Sequence, residues 1–194
     1  MTASREAEQL TAYAELIRKW NPAINLVSPN SLAELETRHI ADSRQLACIA
    51  SGAQGSWLDI GSGGGLPGIV VAIQRPDLSV TLLDSDARKI AFLRTAIRTL
   101  ALGNCRAISG RIESSAPAHA QNLSARALAP LDRLMPYVQR HLAKDGTAWL
   151  MKGRNWQQEI ASAQHGWDFH VTAHSSLTDP EAAILEIREL ERHD

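Results

Sequence analysis

The chain has 194 residues, 44% of them hydrophobic, and a formal net charge of −1, so it is long enough for one globular α/β domain with a good core. No apolar run is long enough to cross a membrane, and the first residues lack the apolar core of a secretory signal, so we expect a cytoplasmic protein without a membrane partner. Two cysteines far apart in sequence, Cys48 and Cys105, fit reduced structural thiols in that compartment.

The first fifty residues predict a helical arm. Apolar residues on one helical face favour a helix over 4–20, which Asn21-Pro22 is expected to end. A short helix capped by Asn30 or Ser31 should follow, and a further helix is expected over about 39–50. The residues expected to face inward are Leu10, Tyr13, Ala14, Ile17, Trp20, Leu32, Leu35, Ile40, Leu46 and Ile49. We expect this arm, residues 1–50, to form a single domain with the sheet region over 55–194.

From residue 55 onward the hydrophobic pattern alternates between strand and helix. The predicted strands are Trp57–Ile60, Val80–Asp84, Arg106–Ser109, Ser124–Leu128, Thr147–Met151, Phe169–Ser175 and Ala183–Leu190. The predicted helices are Leu66–Gln74, Asp86–Leu102, Leu131–Leu142 and Asn155–Gln164. The last stretch also contains helix formers, but we interpret it as a closing strand joined to its predecessor by the turn Thr178-Asp179-Pro180.

A glycine-rich turn follows the first strand of the sheet region. The strand Trp57–Ile60 runs directly into Gly61-Ser62-Gly63-Gly64-Gly65-Leu66-Pro67-Gly68, and a predicted helix follows. This arrangement holds a phosphate or a nucleoside in a doubly wound α/β sheet. Glycine is needed because the backbone turns sharply and because a side chain would keep a ligand away from it. Pro67 suits the first turn of the helix, where its missing N–H costs nothing.

Three types of ligand compete for this turn. A Walker loop is excluded because no Gly-Lys-Ser/Thr sequence ends it. A dinucleotide spacing runs through Gly63, Gly65 and Gly68, and an Asp-x-Gly-x-Gly-x-Gly spacing runs through Asp59, Gly61, Gly63 and Gly65. The second fits better, because its first glycine directly follows the strand and the Asp59 carboxylate suits a cofactor with a cationic amino-acid part. It resembles motif I of the S-adenosylmethionine-dependent methyltransferases, although a tight turn without a ligand is an alternative.

Two further stretches are expected to contact a nucleoside. Asp84 ends the second predicted strand about 20 residues after the glycine turn, where a carboxylate can accept hydrogen bonds from both ribose hydroxyls. Helix capping is the alternative role for this residue, although Ser85 or Asp86 could cap instead. Ile112 and Glu113 follow the third strand, where methyltransferases of this fold contact the adenine edge.

Basic residues end the fourth and fifth predicted strands. Arg126 lies in an otherwise small and apolar strand, and a buried lone charge is costly. We expect it to face the cofactor pocket at the strand's carboxyl end, with a structural ion pair as the alternative. Lys152 is expected to face the same crevice and to contact a phosphate or a guanine edge, with an ordinary solvated lysine as the alternative.

Charge is distributed unevenly along the chain. Residues 86–154 carry 12 Lys and Arg against 4 Asp and Glu, whereas residues 155–194 carry 2 against 8. A basic middle favours a surface that faces a polyanion, although solvated helix faces explain the charge equally well. The histidines at 165, 170 and 174 lack regular ligand spacing, so we predict no metal site.

Seven stretches together carry a family resemblance. They are Trp20-Asn21 with Asn25-Leu26-Val27-Ser28, Arg38-His39-Ile40-Ala41-Asp42-Ser43, the run from Asp59 to Gly68, Leu82-Leu83-Asp84-Ser85 with Arg88-Lys89 and Phe92-Leu93, Gly110-Arg111-Ile112-Glu113, Ser124-Ala125-Arg126-Ala127-Leu128-Ala129, and Lys152-Gly153. In this order they resemble the RsmG/GidB family, which methylates guanine N7 in the small-subunit ribosomal RNA of bacteria. The chain departs from the family pattern at Arg44, where leucine is frequent, and at Arg88, where lysine is common.

The resemblance implies a Rossmann-like S-adenosylmethionine-dependent methyltransferase fold, with a mostly parallel seven-stranded sheet and an antiparallel closing strand. It implies a cofactor site lined by Gly61, Leu66, Asp84, Ile112, Glu113 and Arg126, to which the glycine spacing adds Asp59, Gly63 and Gly65. Candidate contacts to substrate RNA are Arg38, His39, Arg88, Lys89 and Lys152. We take Arg126 and Lys152 as candidate catalytic residues, and we expect a monomer that acts on the ribosomal RNA or on the ribosomal subunit.

The chemistry of guanine N7 agrees with a chain that has no evident catalytic dyad. N7 carries a lone pair and no proton, so it can attack a sulfonium methyl group without a general base, and alignment of the reacting atoms supplies much of the rate. The basic middle and the lack of a long lid insertion favour RNA over the alternative of a small-molecule methyltransferase. The Asp59 spacing disfavours a third possibility, a nucleotide-binding module without catalytic activity.

Overall fold

The structure, a computed structural model, describes residues 3–193. The strands are β1 (Ser56–Ile60), β2 (Ser79–Asp84), β3 (Cys105–Ser109), β4 (Ala120–Arg126), β5 (Leu142–Lys152), β6 (Trp167–Ser175) and β7 (Ala183–Arg192). They form one sheet in the order β3-β2-β1-β4-β5-β7-β6. Neighbours from β3 to β5 are parallel, whereas β7 is antiparallel to both β5 and β6. The expected mostly parallel seven-stranded sheet is therefore confirmed.

Helices cover both faces of this sheet. They are α1 (Ala3–Ile24), α2 (Ala41–Ile49), α3 (Gly68–Gln74), α4 (Ala87–Thr99), α5 (Leu131–His141) and α6 (Trp156–Ala163). A π-helical segment, Leu35–Ile40, leads into α2, and short 3₁₀ turns lie at Pro29–Ser31 and Ala50–Gly52. Because side chains alternate along each strand, two apolar cores form: one includes residues of α1 to α4, and the other includes residues of α5 and α6.

The helical arm differs from its prediction at several boundaries. We expected Asn21-Pro22 to end α1, and this was wrong, because the helix continues past Pro22 to Ile24. It ends where Asn25 takes a left-handed conformation with φ of 49°, and the Asn21 carboxamide then accepts a hydrogen bond of 2.9 Å from the Val27 N–H. The short helix expected after Ser31 is replaced by the π-helical segment, so α2 begins at Ala41 rather than at residue 39.

The inward face predicted for α1 is confirmed. Tyr13, Ala14 and Ile17 are fully buried, and the Trp20 ring packs edge-on against Phe92 of α4 with the ring centroids 5.7 Å apart. This packing holds the arm over α3 and α4. The loop after α1 thereby reaches the glycine turn that follows β1.

Two strands at the centre of the sheet, β4 and β5, are longer than predicted; β5 spans Leu142–Lys152 instead of Thr147–Met151. β4 begins at Ala120 instead of Ser124, and it ends at Arg126 because Ala127 adopts a left-handed conformation with φ of 50°. The hydrophobic pattern did not predict the extension of β4, because Asn122 is polar. Its side chain is nevertheless buried and donates hydrogen bonds to the carbonyls of Gln54 and Ser56.

The closing strand β7 is confirmed despite its helix formers, because pairing with β5 and β6 overrides local propensity.

The strand order reverses between β1 and β4, since the chain adds β2 and β3 on one side of β1 and later strands on the other. Open α/β sheets bind ligands in the crevice at such a reversal, outside the carboxyl ends of the strands. The glycine turn after β1 and Arg126 at the end of β4 both lie at this edge. No helix within residues 3–193 is long and apolar enough to span a bilayer.

Candidate active site

The glycine turn, residues 61–68, combines packing positions with one open position. Gly61, Gly63 and Gly65 all have positive φ, of 62°, 55° and 87°. A Cβ added to Gly65 would lie 2.5 Å from Ile69 Cγ1, so this glycine is required by packing. A Cβ added to Gly63 would have no closer neighbour than the Gly61 carbonyl oxygen at 3.8 Å, so this glycine faces open space. Gly63 therefore offers its backbone for close approach by a ligand.

The turn is held from below and from the arm. Ser62 N–H donates to the Leu83 carbonyl at 3.1 Å, and Gly65 N–H donates to the Ser62 carbonyl at 2.7 Å. The hydroxyl of Tyr13 in α1 donates to the Gly64 carbonyl at 2.6 Å. These bonds fix the backbone conformation of the turn.

Asp84 lies where the prediction requires, at the carboxyl end of β2 next to the turn. One of its oxygens accepts the Gly63 N–H at 2.8 Å, and the other accepts the Asp86 N–H at 2.9 Å. A carboxylate has about four acceptor positions, so this geometry leaves capacity for further donors. The alternative role of helix cap belongs to Asp86, which accepts the Arg88 N–H of α4 at 2.8 Å.

Asp59 has a different environment from the one expected. It is 1% exposed, lies under the glycine turn, and accepts a hydrogen bond of 2.6 Å from the Ser124 hydroxyl. Burial raises its pKa to about 6, and hydrogen bonds, led by that from Ser124, offset part of the shift. Because Asp59 is buried in the central strand β1, its carboxylate contacts Ser124 of β4 rather than the open space beside the turn.

A groove of about 370 Å³, here called the arm groove, separates the glycine turn from the helical arm. Its walls are the turn itself, residues 26–28 and 31 of the arm, and the side chains of Leu66, His39, Lys89 and Arg126. This volume falls within the range of about 300–1,000 Å³ that is typical of small-molecule sites. The charged groups in its described lining are the cations Lys89 and Arg126, so the groove suits a ligand with an anionic group.

Arg126 lies at the expected strand end and also has the ion pair that its sequence context offered as the alternative. Its guanidinium donates to the His39 carbonyl at 3.2 Å, contacts His39 Nδ1, and lies 3.8 Å from an Asp42 oxygen. The side chain is 17% exposed and lines the arm groove, so it is both ion-paired and at the expected crevice.

Burial, with further contributions from the Arg126 and Arg38 charges, lowers the pKa of His39 to about 4. His39 is therefore neutral at physiological pH.

A second space, here called the strand-end cavity, adjoins the arm groove and shares Arg126 and Ala127 with it. It measures about 450 Å³ and lies at the carboxyl ends of β4 and β5, beside the first residues of β7. Three ion pairs line it: Arg38 with Asp179 at 3.3 Å, Arg126 with Asp42 at 3.8 Å, and Lys152 with Glu159 at 2.6 Å. Local sequence patterns did not indicate these pairings: Arg38 and Asp179 are 141 residues apart, and the Arg126–Asp42 and Lys152–Glu159 pairs form only where the arm, the strand ends and α6 come together.

Lys152 lines this cavity, but the positive charge of its ammonium group is already paired with a carboxylate. It pairs with Glu159 of α6 and donates to the Ala129 carbonyl at 2.7 Å, and its side chain is 8% exposed. Glu159 also accepts the Leu131 N–H at 2.9 Å, which ties α6 to the start of α5. The structure thus gives Lys152 an ion pair that joins two elements, in place of the free cation expected for RNA contact or catalysis.

The remaining candidates lie at the edges of the site. Ile112 is buried in the loop after β3 and its carbonyl contacts His141 Nε2 at 2.8 Å, whereas Glu113 is exposed and lies 3.6 Å from Arg111. The first residue of this loop, Gly110, donates to the Asp84 carbonyl at 3.0 Å, which brings the loop close to the ribose position expected from the sequence.

The basic residues of the arm and of α4 differ in whether an acidic side chain already pairs with their charge. Arg38 pairs with Glu34 and Asp179, and Arg88 pairs with Asp86 at 3.1 Å. Lys89 lines the arm groove, and the exposed Arg94 and Arg98 of α4 have no ion pair among residues 3–193. In the same described part of the chain, no three His, Cys, Asp or Glu side chains group so that they could hold a metal ion.

Comparison with known proteins places these features in a family. The model of the family GidB, rRNA small subunit methyltransferase G, matches residues 6–188. The chain is 61% identical to the ribosomal RNA small subunit methyltransferase G of Paracoccus denitrificans strain Pd 1222 over the full length of both. It is 48% identical to the protein of the same name from Ruegeria sp. strain TM1040, over 99% of this chain and 95% of that one.

Solved structures agree on the fold. A putative S-adenosyl-L-methionine-dependent methyltransferase from Methanococcus maripaludis superposes with a TM-score of 0.63. The match covers 84% of this chain and 93% of that one, at 14% identity. At this level of identity the similarity supports the Rossmann-like architecture and carries no residue assignment.

Proposed function

The chain belongs to the GidB family of rRNA small subunit methyltransferases, and from this premise we propose that it methylates N7 of a guanine in small-subunit ribosomal RNA, with S-adenosylmethionine as methyl donor. The resemblance stated from sequence motifs is thereby confirmed at the level of the family. The observation that carries the proposal is the arm groove, where the open face of Gly63, the cation Arg126 and the neighbouring Asp84 meet at the strand reversal.

The residues around the groove fit this cofactor. Asp84, with free acceptor capacity beside the Gly63 backbone, suits a ribose, and the loop that carries Ile112 and Glu113 suits an adenine edge. Lys89 and Arg126 suit the carboxylate of an amino-acid group. A Cβ at Gly63 would enter the space in which we place the ligand, in addition to straining a backbone with φ of 55°. We do not assign Asp59 a contact with the cofactor, since its carboxylate is buried beneath the turn.

When bound, S-adenosylmethionine supplies a methyl group on a positively charged sulfur, which the lone pair of guanine N7 can attack directly. N7 has no proton to lose, so the protein has to orient and desolvate the reacting groups rather than remove a proton. Arg126 is suited to orientation because its guanidinium is held by His39 and Asp42 at the wall between the two spaces. The neutral state of His39 avoids a second positive charge at that wall.

RNA is expected to meet the protein along α4 and the helical arm. The segment Ala87–Thr99 contains Arg88, Lys89, Arg94 and Arg98 and no acidic residue. Lys89 reaches the arm groove, and Arg94 and Arg98 continue the positive charge along the exposed side of α4. Such a row suits a phosphate backbone that leads to the site. A ribosomal substrate also agrees with the cytoplasmic location that we propose.

The direct test is methyl transfer from radiolabelled S-adenosylmethionine to purified small ribosomal subunits, with free small-subunit RNA and large subunits in parallel. We expect label in small-subunit RNA, at a single guanosine that becomes cleavable by borohydride and aniline, as N7-methylguanosine is. Subunits from a strain that lacks the enzyme provide the unmethylated substrate. Label in large subunits alone, or at a position resistant to this cleavage, would contradict the proposal.

A further inference from the structure

The strand-end cavity contains an ion pair for which the proposed function has no role so far. Of its three pairs, Lys152–Glu159 and Arg126–Asp42 have cations with side chains only 8% and 17% exposed. In the Arg38–Asp179 pair the side chains are 45% and 30% exposed, and the closest atoms are 3.3 Å apart. A molecule that enters the cavity can therefore reach Arg38 and Asp179 more easily than the other two pairs.

The Asp179 carboxylate is held in place by the loop between β6 and β7. One of its oxygens accepts the Glu181 N–H at 3.0 Å, and its own N–H donates to the Ser176 hydroxyl at 3.2 Å. Ser176 in turn donates to Asp42 at 3.0 Å, and Leu177 N–H donates to Gln45 at 2.9 Å. Bonds to α2 thus fix the loop, and Asp179 is positioned before a substrate arrives.

A carboxylate beside a guanidinium complements one edge of guanine. Guanine presents two adjacent donors, N1–H and the N2 amino group, next to the acceptor O6. A carboxylate can accept both donors in two parallel bonds while a neighbouring arginine donates to O6. Adenine has no such pair of donors on its edge. The cavity, about 450 Å³ in volume, has room for a purine.

Resting on the proposed function, we propose that Asp179, with Arg38, recognises the Watson–Crick edge of the target guanine in the strand-end cavity. The shared wall of Arg126 and Ala127 lies between this cavity and the arm groove, so a base bound in this way can turn its N7 toward the methyl donor. The base has to leave its stack to enter, as in other enzymes that modify bases. Methylation places a positive charge on the ring, and the nearby carboxylate stabilises that charge.

The variant Asp179→Asn tests the proposal, because the proposal predicts a loss of activity, whereas the change in charge alone predicts stronger RNA binding. Loss of a negative charge from a surface that faces RNA should strengthen general RNA binding. Loss of the specific acceptor should instead lower kcat/KM about 10- to 100-fold, the effect of losing hydrogen bonds to a charged group. Glu181→Gln is the matched control, since it removes the same charge from an exposed residue two positions on, outside the lining of the cavity.

The decisive measurement compares small subunits that carry guanosine or inosine at the methylated position. Inosine lacks only the N2 amino group. We expect the unaltered protein to prefer guanosine about tenfold or more, Glu181→Gln to keep that preference, and Asp179→Asn to lose it. Thermal melting and calorimetric titration with S-adenosylhomocysteine confirm that each variant is folded and binds the cofactor product.

The outcomes separate the two proposals. If the unaltered protein methylates neither substrate, the proposed function fails. If it methylates guanosine and inosine equally well, the inference is overturned while the proposed function stands, and this holds even if Asp179→Asn does not fold. The inference is also overturned if folded Asp179→Asn keeps the preference for guanosine.

Discussion

Gly63→Ala is the substitution that best separates cofactor binding from folding in this protein. Gly63 has φ of 55°, a left-handed conformation that costs an alanine roughly 1–2 kcal/mol. The added methyl group meets no atom closer than 3.8 Å, so no packing cost adds to this strain. For a protein of this length, each 1 kcal/mol lowers the melting temperature by about 2–4 °C. We therefore expect a drop of about 2–8 °C, with the protein still folded.

Cofactor affinity should fall more than stability suggests. The new methyl group occupies the face of the turn at which we place the cofactor, and forcing an extra carbon into a filled site costs about 1–3 kcal/mol. This range corresponds to a loss of about 5- to 150-fold in affinity for S-adenosylhomocysteine. Gly65→Ala is the contrasting variant, because its Cβ would lie 2.5 Å from Ile69 and 3.0 Å from Leu93. It should lose far more stability.

Calorimetric titration with S-adenosylhomocysteine and thermal melting of the same samples measure the two effects. Folded Gly63→Ala that binds the ligand as tightly as the unaltered protein would refute the placement of the cofactor at this turn. A parallel titration with NAD tests the choice of cofactor class. Tight binding of NAD, with none of S-adenosylmethionine or its demethylated product, would reject that choice.

Three further predictions concern charged residues. Arg126→Ala should lower kcat/KM more than affinity for S-adenosylhomocysteine, because Arg126 forms the wall between the two spaces. A large drop in melting temperature with normal specific activity of the folded fraction would show that Arg126 has only a structural role, through its ion pair with Asp42. Replacing Lys89, Arg94 and Arg98 with glutamine should reduce the slope of log affinity for the subunit against log salt concentration by about 0.7–0.9 per lost phosphate contact. Arg88→Gln should change this slope little, because Asp86 already pairs with that charge. An unchanged slope in the triple variant would show that α4 is a solvated face without RNA contacts. Burial raises the pKa of Asp59 from 3.8 to about 6, so between about pH 4 and 6 the folded state keeps a proton that the unfolded state loses, and stability falls as pH rises. Urea unfolding should show that this decline is smaller by roughly 3 kcal/mol in Asp59→Asn. A difference in stability between variant and parent that does not change with pH would contradict this prediction.

Local patterns were sufficient for the features that depend on neighbours in sequence. The glycine turn after β1, Asp84 at the end of β2 and the inward face of α1 were all predicted correctly, because backbone conformation and hydrophobic period are properties of short segments. Where the pattern misled, a tertiary contact was responsible. α1 passes Pro22, and β4 includes the polar Asn122 because that side chain finds partners across the sheet.

The partners of the charged side chains were decided by the tertiary structure alone. Lys152 and Arg126 were correctly placed at strand ends, but the sequence did not indicate that Glu159 neutralises the first or that His39 and Asp42 hold the second. The Arg38–Asp179 pair joins residues 141 positions apart. Such a contact has no local signal, because its geometry exists only after the arm has packed against the sheet and β7 has entered between β5 and β6. The sequence therefore determined where the backbone makes its glycine turn after β1, and folding determined which charges face the space beside that turn.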